Sequence, residues 1–276
     1  MSEARLHFLV NFIRKLDSAV IAFSGGVDST FLVRVAQLSG IRFLAVTGRS
    51  ATVPSDDIDS ARSVAALFGF EHRFIDSDEF RDENFVSNPP DRCFYCKGAL
   101  FTRLKEISLE NDFRHVMDGC NADDAEDYRP GMKAGEMQGV VSPLREAGFR
   151  KAEIRELSRG LALPTWDRPS SPCLSSRIPY GWAITADAVR KVAEAEGFLK
   201  KAGFRIVRVR SFGENAVIEV GRDEVDRLLS FPLRREVREM FRLIGYENVF
   251  LDEEGYGTGK LNDRGYVERA QRFPLI

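Results

Sequence analysis

Short apolar runs and longer amphipathic ones take turns along the first half of this chain. Leu6, Leu9, Phe12, Ile13 and Leu16 recur at helical spacing over residues 4–16. The unbroken run Ala19-Val20-Ile21-Ala22-Phe23 then predicts a buried strand, and Phe31, Leu32, Val35 and Ala36 predict a helix over 28–39. The pattern continues as strand 41–46, helix 54–68, strand 71–75, helix 97–109, strand 115–118 and a helix around 121–126. Strand and helix alternating in this way predict a parallel sheet covered on both faces. Ligands of such sheets collect beyond the carboxyl ends of the strands. Three polar strand ends therefore point to one place: Ser24–Ser29, Thr47–Ser50 and Asp118–Asp124.

The pattern changes around residue 163. Prolines, serines and threonines crowd the stretch from Leu163 to Gly181 and leave no regular period, yet it carries Trp166, Arg168, Cys173 and Arg177. A long irregular loop rich in reactive side chains reads as functional. Beyond it lie helix 185–202, strand 204–210, a turn at Ser211–Glu214, strand 215–220, helices 222–230 and 232–244, and strand 246–251. The expected organisation is a first domain over 1–165, a functional loop or linker over 166–182, and a smaller α+β domain over 183–276. Gly255, Gly257 and Gly259 read as a flexible turn, since no predicted helix follows them.

Composition narrows the class. With 276 residues, 43% hydrophobic and 30% charged, the chain is expected to fold as one or two globular domains. Its 40 basic and 42 acidic side chains leave a net charge of −2, which gives no general attraction for nucleic acid. The charged, amphipathic start Ser2-Glu3-Ala4-Arg5-Leu6-His7-Phe8 lacks an apolar signal core, and no stretch approaches the ~20 apolar residues of a membrane span. A cytoplasmic, reducing location is expected, where the four cysteines would stay unpaired.

The run Ser24-Gly25-Gly26-Val27-Asp28-Ser29 carries the clearest chemistry. Glycines 25 and 26 let backbone N–H groups approach an anion, and the helix N-terminus behind them favours negative charge. Ser24 and Ser29 add hydroxyl donors, and Asp28 is a candidate magnesium ligand. No lysine follows the glycines, so this is not a Walker loop. Gly48 and Arg49 close the second strand, where adenine can meet backbone groups. Asp123 and Asp124 can complete a magnesium shell or bind ribose, or can simply cap a helix.

Cys93-Phe94-Tyr95-Cys96 sits at the mouth of the predicted helix 97–109. A single C-x-x-C reads as half a zinc site, a redox pair or iron–sulfur ligands. With Cys173 as a third thiolate it would suit a [4Fe–4S] cluster with one iron left open. Cys173 lies among prolines and serines, near Arg168 and Arg177, which would favour its thiolate. Cys120 reads as a small buried residue. Arg208 and Arg210 alternate on one strand and so share a face, which Val217 and Glu219 can join; such a pair can clamp a phosphate. Glu196 is either an exposed helix charge or a site carboxylate.

Together, S-G-G-V-D-S, N-P-P-D-R-C-F-Y-C-K, D-G-C-N-A-D-D, R-P-S-S-P-C-L-S-S-R-I-P-Y-G and R-V-R…I-E-V resemble the LarE family of sulfur transferases, in order over about residues 10–220. That resemblance implies an α/β PP-loop ATP pyrophosphatase domain (adenine nucleotide alpha hydrolase-like) with a smaller α+β C-terminal domain. It also implies an ATP- and Mg²⁺-dependent enzyme releasing AMP and pyrophosphate, acting on a pyridinium dicarboxylate mononucleotide to make the nickel-pincer cofactor of lactate racemase. By position, Cys173 matches the sulfur-handling cysteine and Asp28 the ATP–magnesium residue. Ser176, Arg208 and Arg210, with the adjacent Arg177, fall on the substrate phosphate, and Glu196 and Glu219 on acidic residues of the same site. Members that sacrifice their own cysteine lack the C-x-x-C. Its presence here matches relatives that pass on external sulfur through a [4Fe–4S] cluster, with Cys93, Cys96 and Cys173 as ligands. A homo-oligomer is expected. The rival readings are a tRNA thiolase, an ammonia-dependent amidating synthetase and an ATP-sensing regulator.

Overall fold

The computed structural model describes residues 2–126, 129–257, 259–263, 265–266, 269 and 273–275. By their contacts these divide into two compact units, residues 1–85 with 89–171, and residues 86–88 with 172–276.

In the first unit, β1 (Ser18–Ala22) is central to a parallel sheet with β2 (Arg42–Arg49), β3 (His72–Asp76) and β4 (His115–Met117), in the order β3-β2-β1-β4. Helix α1 (Ser2–Arg14) precedes β1, and α2 (Val27–Ser39) and α3 (Ser55–Phe68) are the crossovers that follow β1 and β2. The single-turn α4 (Glu83–Val86) and the long α5 (Arg92–Glu110) come before β4. Three more helices follow β4: α6 (Pro130–Met137), α7 (Pro143–Glu146) and α8 (Lys151–Gly160).

β1 is apolar throughout because both of its faces are covered. Ala19 and Ile21 pack with Leu9, Ile13, Phe31, Val35 and Ile154, from α1, α2 and α8. Val20 points the other way, toward Leu44, Phe101, Leu104 and Ile107 of β2 and α5. The phosphate-loop candidate therefore hangs from the most deeply buried strand. Among the described residues, no helix is long and apolar enough to cross a membrane.

The second unit has its own core. Helix α9 (Ala186–Lys201) leads into an antiparallel hairpin of β5 (Val207–Phe212) and β6 (Asn215–Val220). Then come α10 (Val225–Leu229), α11 (Leu233–Ile244) and β7 (Asn248–Leu251), which pairs parallel with β6. Val207, Val209 and Ile218 face Ala195, Leu199, Leu228, Val237 and Phe241 of the three helices.

Several local expectations change. The helix placed at 97–109 starts at Arg92, because the carbonyls of Pro89 and Asp91 accept from the amides of Arg92 and Phe94; Cys93 and Cys96 thus lie inside its first turns. Around 121–126 there is a 3₁₀ turn, tightened by the Asn121 side chain, which accepts from the amides of Asp123 and Asp124 at 2.9 and 3.3 Å. The stretch after residue 163 is ordered: Arg155 donates to the carbonyls of Trp166 and Arg168, and Leu174–Arg177 forms a 3₁₀ turn. The hairpin turn shrinks to Gly213-Glu214 because the first strand runs on to Phe212, while the second spans 215–220 as expected. The helix placed at 222–230 breaks into a 3₁₀ turn and α10.

Candidate functional site

The bend between β1 and α2 is built for a close approach. Gly25 adopts φ +68°, and a Cβ there would lie 2.5 Å from the Ala61 nitrogen of α3. Only glycine meets both demands. Gly26 then caps α2 with extended geometry, so the first amides of the helix face outward beyond the strand end. Ser24 and Ser29 hold the loop by a hydroxyl–hydroxyl contact of 3.1 Å, and the Ser24 amide donates to Ser29 Oγ. From behind, Ser60 Oγ and Arg168 Nη1 both donate to the Gly25 carbonyl, at 2.8 and 3.0 Å. Arg168 also pairs with Asp57 at 2.8 Å.

Asp28 stands in the first turn of α2. Its Oδ2 accepts from Lys151 Nζ at 2.5 Å, while its Oδ1 is buried without a protein partner. A buried carboxylate oxygen in that state is costly unless a ligand completes it. Mg²⁺ in nucleotide sites takes one or two carboxylates plus phosphate oxygens and water, so Asp28 fits that ion. Lys151 opens α8 and went unrecognised from the sequence, because nothing local links residues 28 and 151. Gly119 belongs to the polar strand end that the sequence placed beside the phosphate loop. It brings the end of β4 against α2, where its Cβ would lie 3.0 Å from the Ser29 amide nitrogen.

The acidic turn after β4 is already engaged. Asp123 accepts from Arg150 Nη1 and from the Lys151 amide, both at 2.7 Å, and so fixes the start of α8. Asp124 accepts from the Asn121 amide at 3.0 Å and pairs with Arg129 at 2.7 Å. Gly48 and Arg49 end β2, where Arg49 is exposed and paired with Asp76 at 2.7 Å. That partner raises the Arg49 pKa and lowers that of Asp76.

None of the four cysteines is in a disulfide. Cys120 is buried beside Asp118, and burial with that neighbouring charge pushes its thiol up to about 12. Cys93 and Cys96 lie three residues apart on α5, both half-buried, and Cys96 Sγ is 3.8 Å from Glu79 Oε1. Among the described residues no three His, Cys, Asp or Glu side chains converge as a metal site. The pair therefore offers two thiolates for a cluster; Cys173 belongs to the second unit.

The two arginines that flank Cys173 in sequence both have other partners. The guanidinium of Arg168 is spent on Gly25, Asp56 and Asp57. That of Arg177 grips Glu196 with two bonds, Nε to Oε1 at 2.7 Å and Nη2 to Oε2 at 3.0 Å. Its Nη1 donates to the carbonyls of Pro172 and Cys173 and to Ser176 Oγ. Arg177 thus fastens the backbone of the Cys173 turn.

Around it the second unit gathers its charges. Arg208 and Arg210 share one face of β5, and that face is buried rather than solvated. Arg210 pairs with Glu219 through two bonds of 2.9 and 2.8 Å and donates to the Ser176 carbonyl at 3.1 Å. Arg208 donates to the Val207 carbonyl at 2.7 Å and lies 5.0 Å from the Tyr256 ring centre. Glu196 also accepts from the Val209 amide, and Glu219 from the Tyr266 hydroxyl. Burial, then the charges of Arg177 and Arg210, lower the Arg208 pKa. Burial also opposes the charge of Arg210, but Glu219 outweighs it and leaves that pKa raised. Three guanidiniums and two carboxylates thus lie together in the interior of this unit, a donor set suited to an anion.

No family model matches the chain. An uncharacterized protein of Synechocystis sp. is 39% identical over 263 residues, 95% of this chain and 98% of that one. The pyridinium-3,5-bisthiocarboxylic acid mononucleotide synthase of Lactiplantibacillus plantarum is 35% identical over 257 residues, 92% of both chains. A tRNA-specific 2-thiouridylase of Sphingopyxis alaskensis, also a PP-loop enzyme, is 28% identical over 229 residues, 64% of this chain and 56% of that one. The parallel sheet, the glycine bend at its central strand and this likeness to the synthase agree: the chain belongs to the LarE family of ATP-dependent sulfur transferases, within the PP-loop ATP pyrophosphatases.

Proposed function

We propose that this protein adenylates a carboxylate of pyridinium-3,5-biscarboxylic acid mononucleotide and converts it to a thiocarboxylate, a step in making the nickel-pincer cofactor of lactate racemase. The observation that carries this reading is the buried group Arg177, Arg208, Arg210, Glu196 and Glu219, whose clustered guanidiniums suit a phosphate monoester. A PP-loop on the same chain supplies the activating nucleotide.

The chemistry follows from the leaving group. A carboxylate resists substitution because oxide leaves badly. Its oxygen attacks the α-phosphorus of ATP, the bond to pyrophosphate breaks, and an acyl-adenylate forms. A sulfur nucleophile then adds at the carbonyl carbon and AMP departs with the original oxygen. In the first unit, the bend at Gly25-Gly26 and the amides opening α2 would receive the phosphates, with Ser24 and Ser29 shaping the loop. Gly48, Arg49 and Asp124 are proposed to flank the nucleoside. Asp28 would hold Mg²⁺, which supplies positive charge against the departing pyrophosphate. Lys151, already 2.5 Å from Asp28, would share that charge between carboxylate and phosphate. In the second unit, Ser176, Arg177, Arg208 and Arg210 would grip the mononucleotide phosphate, with Glu196 and Glu219 orienting the guanidiniums.

The proposal includes a [4Fe–4S] cluster with Cys93, Cys96 and Cys173 as ligands, supplied by an external sulfur donor. What supports it is the donor set: two thiols on adjoining turns of α5 and a third in a polar turn. When bound, such a cluster supplies an open iron that can carry sulfide.

Anaerobically purified protein, incubated with ATP, Mg²⁺, sulfide and the dicarboxylate mononucleotide, is expected to release AMP and pyrophosphate. One carboxylate oxygen of the product is expected to be replaced by sulfur. Release of ADP and orthophosphate refutes the reading. Iron and sulfide analysis tests the cluster; fully active, iron-free protein excludes it. An unchanged polypeptide mass after turnover supports an external sulfur source, and loss of one sulfur atom shows that the protein consumes a cysteine of its own. The match to a tRNA thiouridylase favours one other substrate, and pyrophosphate release stimulated by tRNA instead of the mononucleotide would select it.

A further inference from the structure

The chain returns to the buried arginines after β7, in a segment that the sequence patterns left without a role. Asp252, Tyr256 and Tyr266 lie against the hairpin that carries Arg208, Arg210 and Glu219. The amides of Asp252 and Tyr256 donate to the carbonyls of Ile218 and Val220 on β6, at 2.9 and 2.7 Å. Lys260 pins the segment to itself, donating to Asp252 at 2.7 Å and to the Gly255 carbonyl at 2.6 Å. Two tyrosines then reach the charges: the ring of Tyr256 stands 5.0 Å from the Arg208 guanidinium, and the Tyr266 hydroxyl donates to Glu219 Oε1 at 2.6 Å.

We infer that Tyr266 is a positioning residue of the anion site, acting through Glu219 to hold Arg210 in the orientation that binds the substrate phosphate. The hydrogen-bond count supports this. A guanidinium has five N–H donors. Arg210 gives Nε and one of Nη2 to Glu219, and one of Nη1 to the Ser176 carbonyl, so two donors stay aimed away from the carboxylate. Glu219 is 0% exposed, and its Oε1 serves Arg210 and Tyr266 at once. A third donor on that carboxylate draws electron density from it. This weakens its hold on Arg210 and fixes the plane in which the guanidinium lies. Without the hydroxyl, Glu219 competes harder with the phosphate for the same arginine. The ring itself packs against Phe212 and Val217, contacts that phenylalanine would keep.

This inference rests on the phosphate site proposed above, and the test separates the two. Binding of pyridinium-3,5-biscarboxylic acid mononucleotide is measured by calorimetry on the full chain, with inorganic phosphate titrated separately and followed by ³¹P resonance. Tyr266→Phe is expected to weaken both ligands about tenfold, with kcat at saturating substrate and ATP affinity unchanged. A merely structural tyrosine would instead lower the melting temperature and affect ATP and mononucleotide alike. Lys260→Met, which loosens the segment but keeps the hydroxyl, is the second variant and is expected to weaken phosphate binding less than Tyr266→Phe. If Arg210→Lys weakens phosphate binding while both other variants bind like the wild type, Tyr266 has no positioning role. If Arg208→Lys and Arg210→Lys both leave phosphate binding intact, the phosphate site itself is wrong, and the inference falls with it.

Discussion

Replacing Arg177 by methionine tests whether the buried charge group of the second unit is a coupled structure. Arg177 is 1% exposed and Glu196 2%, and two charge-assisted bonds join them. Methionine fills most of the side-chain volume but leaves Glu196 in the interior with the Val209 amide as its remaining donor. Removing one partner of a buried pair costs about 3–5 kcal/mol, because the other charge stays desolvated and unpaired. Whole-domain stabilities are about 5–15 kcal/mol, so the variant loses a large fraction of its margin. With a urea slope of about 2 kcal/mol per molar, the midpoint of unfolding falls by roughly 2 M.

The double variant Arg177→Met, Glu196→Gln is the sharper part of the test. Glutamine keeps an acceptor for the Val209 amide and removes the stranded charge. The double variant is therefore expected to recover most of the loss, with a coupling energy of at least about 2 kcal/mol in the cycle. Far-UV dichroism in urea supplies all four numbers. Turnover should not recover with stability, since the carbonyls of Pro172 and Cys173 still lack the guanidinium that fastens them. A single-variant loss below about 1 kcal/mol, or strict additivity, would refute the account of a mutually dependent pair.

Gly25→Ala should abolish ATP binding and lower the melting temperature, because a left-handed alanine costs about 1–2 kcal/mol and its Cβ would also meet Ala61 of α3; a crystal soak or fluorescent ATP titration with unchanged affinity would contradict this. Burial, and next the charge of Arg62, lower the pKa of His72, whose Nε2 meets Thr47 Oγ1 at 2.8 Å. The folded state then binds fewer protons than the unfolded one near pH 6.5, so stability falls as pH drops from about 7 through the lowered folded value. Urea melts of the wild type and of His72→Gln across that window check it, and equal pH slopes would count against it. Cys120, whose thiol is pushed up to about 12, should resist iodoacetamide at pH 8 in the native protein and react after denaturation. Peptide mapping that finds Cys120 labelled at the rate of a free thiol would overturn its assignment as buried and inert.

What the amino-acid order disclosed, and what it hid, follows the range of the interactions. The apolar run of β1 and the glycine–serine bend after it are local signals, and both are legible, since a strand buried on two faces has to be apolar throughout. The shared face of Arg208 and Arg210 was legible for the same reason, as strand alternation leaves no choice. That this face is buried was not legible, because its contacts come from Ser176 upstream and from Tyr256 and Tyr266 downstream. Helices α6 and α7 escaped notice because they are short and each begins with proline, and α8 because its stripe is little more than Ile154 and Leu157. Lys151 escaped with α8, yet it supplies the positive partner of Asp28 across 123 positions. The same division runs through both units. Residues that can touch a ligand announce themselves by type and spacing, whereas those that set their charge and orientation lie far off in sequence and look like ordinary surface side chains. Asp28 is held by Lys151, and Arg210 by Glu219 with Tyr266 behind it; these distant partners decide which donors and acceptors are left for a substrate.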